Sequence, residues 1–131
     1  MISNQTMPNN TNTKIINRAY KLYAQPKIKI KSYNLILNKH ESLLYYNDET
    51  FRAMILEKIF NPQKQLSLDL SNCDQITDVT VLQNVCSLNL SDCINVRDVN
   101  VLKNLYYLNL RGCYNIKDVS ELKHVQLLYL P

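Results

Sequence analysis

From Leu66 onward the chain repeats itself every 20 residues. Such a period restricts the fold to stacked units, each of which buries its apolar face against its neighbours. Three full units read LSLDLSNCDQITDVTVLQNV, CSLNLSDCINVRDVNVLKNL and YYLNLRGCYNIKDVSELKHV, and a fourth begins as QLLYL. Aligned columns hold Leu68/Leu88/Leu108/Leu128, Leu70/Leu90/Leu110/Leu130, Cys73/Cys93/Cys113, Asp78/Asp98/Asp118 and Leu82/Leu102/Leu122.

The two leucines of each L-x-L pair are two residues apart, so on a strand both point to one face. The V-x-x-L spacing that follows is helical and returns two apolar side chains toward those leucines. Each unit is therefore expected to be a strand, a turn and a short helix or 3₁₀ turn. The Asp before V-x-x-L suits an N-cap, whose carboxylate accepts from exposed N–H groups. In the third unit Asp118 and Glu121 have the spacing of a capping box.

The run Val85-Cys-Ser-Leu88-Asn-Leu90-Ser-Asp-Cys93 resembles the leucine-rich repeat consensus. The run from Cys73 to Asp78, CDQITD, is similar to its cysteine-containing subtype. The resemblance covers residues 65–131 and implies an α/β fold. In that fold a short leucine-rich repeat solenoid carries parallel strands on a concave face and short helices or 3₁₀ turns on a convex face. The Asn-, Lys- and Ile-rich composition also resembles that of short leucine-rich repeat proteins of giant DNA viruses of amoebae. Gln65 stands where that pattern has an apolar residue, which suits a terminal unit.

The cysteine column invites three chemical readings. Zinc usually takes four ligands, often as C-x₂₋₄-C pairs, and no such pair occurs. Neighbouring strands lie about 4.8 Å apart, which would bring adjacent cysteines within disulfide range. Inward, parallel side chains and a reducing compartment oppose that pairing. The favoured reading is a ladder of small buried thiols lining the turn after each strand and meeting backbone amides. Cys86 lies outside this column and is read as an outer-face residue. No metal and no cofactor is expected.

No G-x-S-x-G or H-E-x-x-H motif is present, and the one glycine, Gly112, excludes a glycine-rich phosphate loop. The expectation is a non-enzyme with no catalytic residues. Recognition is left to the residues between the inward leucines: Ser67/Ser87/Tyr107/Leu127, Asp69/Asn89/Asn109/Tyr129 and Ser71/Ser91/Arg111. These columns vary while the frame repeats, and they turn aromatic and basic in the third and fourth units. Tyr106, Tyr107, Arg111 and Tyr129 are expected to cluster. Tyr and Arg commonly anchor interfaces. The candidate partner-binding residues are Asp69, Asn89, Tyr107, Asn109, Arg111 and Tyr129.

The preceding half differs in character. Residues 1–63 carry nine Lys/Arg against four Asp/Glu, whereas residues 64–131 carry six against seven. Residues 1–13 are polar and read as a flexible tail. Residues 14–63 read as a mainly helical N-terminal cap, followed by about 3.5 repeat units over 64–131. Within the cap, Lys14–Tyr23 has helical spacing, Lys27–Leu37 alternates as a strand, and 48–60 reads as a helix started by Asp48 and stopped by Asn61-Pro62. Phe51, Met54, Ile55, Leu56, Ile59 and Phe60 form its apolar side.

Protein–protein interaction through the concave face is the function this organisation supports best. One alternative is a ubiquitin-ligase adaptor, because cysteine-containing repeats often follow an F-box. Residues 33–60 would then be the F-box, although they lack its Leu-Pro-x-Glu opening. The other is nucleic-acid binding by the basic segment Lys14–Lys39, where Tyr20, Tyr23 and Tyr33 interleave with seven Lys/Arg. Nucleic acid is the less favoured partner, and no membrane is expected. No apolar stretch has transmembrane length and no signal-peptide core is present. Together with four cysteines this points to an intracellular, cytoplasmic setting, the host cell's cytoplasm for a viral protein. Leu128 and Leu130 would have neighbours on one side only, so self-association through this edge is a further expectation.

Overall fold

The computed structural model describes residues 34–59 and 61–131. Five parallel strands form one sheet in chain order: β1 (Leu35–Ile36), β2 (Leu66–Asp69), β3 (Ser87–Asn89), β4 (Tyr107–Asn109) and β5 (Leu127–Tyr129). The register advances by one repeat per strand, so that Leu68, Leu88, Leu108 and Leu128 lie side by side. Each of the last four strands is followed or preceded by equivalent parts of the 20-residue unit. The V-x-x-L segments form 3₁₀ turns at Thr80–Leu82, Asn100–Leu102 and Ser120–His124.

The aligned apolar columns make the core. Leu68, Leu70, Leu88, Leu90, Leu108 and Leu110 are buried, together with Ile76, Val79, Leu82, Val85, Val96, Val99, Leu102, Leu105 and Leu122. Fully burying a side chain of this size is worth about 1.5–3 kcal/mol. Burial weakens toward the last unit: Ile116, Val119 and Leu128 are only partly buried, and Leu130 is exposed.

The turns follow a rule of their own. Asn72, Asp92 and Gly112 occupy one column and all have positive φ, at 56°, 60° and 77°. Asn and Asp tolerate this left-handed conformation and Gly enters it freely. A β-carbon on Gly112 would also run into the Asp92 carboxylate. The aligned aspartates sit one residue earlier than an N-cap. Each accepts from the N–H two residues on: Asp78 from Thr80, Asp98 from Asn100 and Asp118 from Ser120, all at 2.9 Å. Val79, Val99 and Val119 are the flanking cap residues. The capping role expected of the aspartates therefore becomes a side-chain turn, because a 3₁₀ segment this short presents its free N–H groups one residue sooner.

Ahead of the repeats stand two helices, α1 (Lys39–Asn47) and α2 (Glu49–Lys58), and a single turn, α3 (Pro62–Gln65). Asn38 and Glu41 form a reciprocal capping box that starts α1. Asp48 accepts from the Phe51 N–H and starts α2, as expected. Asn61-Pro62 ends α2 and also begins α3, with Pro62 in its first turn, where no N–H is needed. Phe51 and Ile55 are buried and Met54 is partly so, but Leu56 faces outward. Leu56, expected on the apolar side, follows buried Ile55 by one residue, and the helical turn of about 100° carries it away from the core. Leu37, Leu44, Tyr45, Phe51, Ile55 and Ile59 join the repeat leucines in one continuous core. Gln65 is buried, and its side-chain oxygen accepts from the Asn61 N–H at 3.0 Å, which accounts for a polar residue at that place. The tail, the Lys14–Tyr23 helix, Lys27–Tyr33 of the expected strand and Phe60 lie outside the described residues.

Candidate functional site

The cysteine column is part of the frame. Cys93 Sγ donates to the Leu70 carbonyl and Cys113 Sγ to the Leu90 carbonyl, each at 3.0 Å. Both reach back 23 residues, into the unit before. Cys73 has no such unit behind it and donates to Ser71 O within its own turn, at 3.3 Å. The thiols thus meet carbonyls rather than the amides expected of them, because S–H is a donor. Burial pushes the Cys93 thiol up to about 11 and raises Cys73 and Cys113 as well. All three remain protonated donors at neutral pH. Among the described residues no group of three or more His, Cys, Asp or Glu could hold a metal ion. Cys86 is half-buried, with Ser87 Oγ 3.8 Å from its sulfur.

Of the six candidate binding residues, three are occupied by the frame. Asp69, Asn89 and Asn109 end their strands with a side-chain oxygen that accepts from the N–H two residues on, at Ser71, Ser91 and Arg111, each at 3.1 Å. Asn89 also donates to the Asp69 carboxylate at 3.2 Å. The spacing carried this signal, since Asx residues favour such turns. A second ladder escaped notice: Asn95 and Asn115 donate across units to the carbonyls of Asp74 and Ile94, both at 2.6 Å.

The other three residues come together. Tyr107 on β4 and Tyr129 on β5 sit diagonally across the strand pair, with ring centroids 5.6 Å apart and planes tilted by 54°. Such tilted geometry suits the quadrupoles of two rings. The Arg111 guanidinium lies over Tyr129, 4.5 Å from the ring centre. Tyr129 takes the column that Asp69, Asn89 and Asn109 hold in the earlier units, so it is released from the turn-closing role. Leu127, paired with Tyr107 in the register, is exposed beside them. Tyr106, half-exposed just before β4, makes no ring contact with this group among the described residues. The cluster is therefore Tyr107, Arg111 and Tyr129 with Leu127, on the outward face of the sheet.

Elsewhere the loops opposite the sheet enclose an open hollow of about 530 Å³, lined by Asp78, Arg97 and Asp98 among others. Its two carboxylates are already used in turns. Hydrogen bonds from Thr80 hold the Asp78 carboxyl below its usual range. Of the seven basic residues in the Lys14–Lys39 segment, only Lys39 is described, and its ammonium donates to the Ser71 carbonyl. No described helix is long and apolar enough to cross a membrane. No family model, curated protein or solved structure matches this chain.

Proposed function

We propose that residues 64–131 are a short leucine-rich repeat solenoid whose concave face binds a protein partner. The helices α1 and α2 serve as its N-terminal cap. The observation that carries this reading is the Tyr107–Tyr129–Arg111 stack. It is an aromatic and cationic group held by β4, β5 and the turn that follows β4, on the outward sheet face. Large, stiff aromatic side chains lose little entropy on contact, and Arg supplies directional donors. The Asx ladder at Asp69, Asn89 and Asn109 supports the same face from beneath, by fixing where each strand ends.

The test is affinity capture from extracts of cells that make the chain, with wild type compared against Tyr107→Ala/Arg111→Ala. Both side chains are outside the core, so the variant should fold. Loss of one captured protein with the rest unchanged supports the face as the binding site. An identical set of captured proteins from both baits contradicts it.

A further inference from the structure

Charge is unevenly placed on the outward sheet face. The columns Asp69/Asn89/Asn109/Tyr129 and Ser71/Ser91/Arg111 hold one anionic and one cationic side chain. Asp69 ends β2, and Arg111 stands two residues beyond Asn109, which ends β4. Asp69 and Asn109 are two strand spacings apart in the register, about 10 Å.

The two charges are met in different ways. The Asp69 carboxylate accepts from the Ser71 N–H at 3.1 Å and from the Asn89 amide at 3.2 Å. The Arg111 backbone N–H donates to Asn109, and its guanidinium lies over Tyr129, 4.5 Å from the ring centre. A ring quadrupole attracts the charge without giving the five N–H donors an oxygen. Among the described residues no carboxylate pairs with Arg111, whose side chain is exposed. Residues 1–33 contain six Lys/Arg and no Asp or Glu, so they hold no acidic side chain to offer it. A planar, two-pronged donor matches a carboxylate.

We propose that the occupant of this face is a protein segment bearing an Asp or Glu side chain, which bonds Arg111 while a neighbouring apolar side chain packs on the Tyr107 ring. This rests on the face reading above and names the partner's chemistry. Two features select such a segment over a nucleic-acid strand. A strand laid across the sheet would bring successive phosphates within a screening length, about 8 Å, of Asp69. Arg111 also occupies a face of the Tyr129 ring on which a base would otherwise stack. The chain's own residues 1–33 are a poor occupant by sign, since their positive side chains would meet a positive Arg111.

The probe is a displayed library of random 12-residue peptides, selected on the 131-residue chain. Enriched sequences are expected to place Asp or Glu next to an apolar residue. The most enriched one, made as a synthetic peptide, should bind Arg111→Gln at least tenfold more weakly than wild type. Arg111→Lys keeps the charge without the planar fork and should lose less. Arg111→Glu should regain binding when the acid of the peptide is changed to Lys. That exchange of charges reads the contact itself, which a misfolded variant cannot reproduce. No enrichment, enrichment without acidic residues, equal affinity for Arg111→Gln and wild type, or no recovery on exchanging the charges overturns the proposal. Retention of a single-stranded oligonucleotide that Arg111→Gln abolishes overturns it in favour of nucleic acid. Self-association abolished by Arg111→Gln overturns it in favour of a second copy. If Tyr107→Ala/Arg111→Ala loses its captured protein while Arg111→Gln binds the peptide as wild type does, the face reading stands and the carboxylate falls.

Discussion

Strands β2 and β5 belong to the same repeat, yet among the described residues only β2 is paired on both sides. Leu66, Leu68 and Leu70 at the closed end are at most 4% exposed, whereas Leu130 at the other is 49% exposed. The closed end gains Phe51 and Ile55 from α2, Tyr45 from α1, and polar bonds from Ser42 and Lys39. A periodic structure does not close itself. Each strand leaves the next one a row of amides and an apolar flank, so closure has to come from residues that break the repeat.

The strongest way to break the contrast is to remove the plug. Phe51→Ala, at a fully buried site, should cost about 3–5 kcal/mol. Urea midpoints with unchanged slope would measure it; a loss under 1 kcal/mol would show that α2 does not hold the first edge. Ser42→Ala strands the Asp69 N–H beside the core and should cost about 1–3 kcal/mol, read from the same titration.

The thiol ladder sharpens the comparison through pH. The folded-state pKa of Cys93 lies above its ordinary value of 9.0, at about 11. The stability this represents is complete below pH 9 and is lost as pH rises through 11. The melting temperature should therefore fall between those values, and Cys93→Ala should flatten that part of the profile. A slope unchanged by the substitution would assign it to other groups. Buried Tyr45, raised to about 12, adds its own decline above pH 10.

The smallest effects belong to the open edge. Leu130→Ala and Arg111→Ala should each shift stability by no more than about 0.5–1 kcal/mol, since exposed side chains and an exposed cation–π contact contribute little. A larger loss at Leu130 would mean that this edge is packed against something in solution.

The repeat made most of the second half of the molecule readable from sequence. L-x-L placed the inward leucines, V-x-x-L placed the 3₁₀ turns, and the cysteine column placed three thiols at equivalent points. What escaped was mostly hydrogen-bond direction. Nothing in a cysteine's spacing tells whether its sulfur meets an amide or a carbonyl of the preceding unit. Asp69, Asn89 and Asn109 were readable as outward residues, but one oxygen of each is drawn back to the chain two residues on. The column Asn72/Asp92/Gly112 was not read, although these three residue types share tolerance of positive φ. Helix α1 was missed although Asn38 and Glu41 spelled a capping box, because KHESLLYYN has a weak apolar stripe and is held by contacts distant in sequence. The Tyr107–Tyr129–Arg111 stack was visible as a trend along columns. Its exclusion of Tyr106 depended on side-chain direction at the start of β4.

Amide hydrogen exchange on the dilute 131-residue chain tests the difference between β2 and β5 most directly. The Asp69 N–H at the end of β2, held by Ser42 Oγ, should exchange orders of magnitude more slowly than the N–H groups of Leu128 and Leu130 at β5. Equal protection at Asp69 and Leu128 would contradict an open β5 edge.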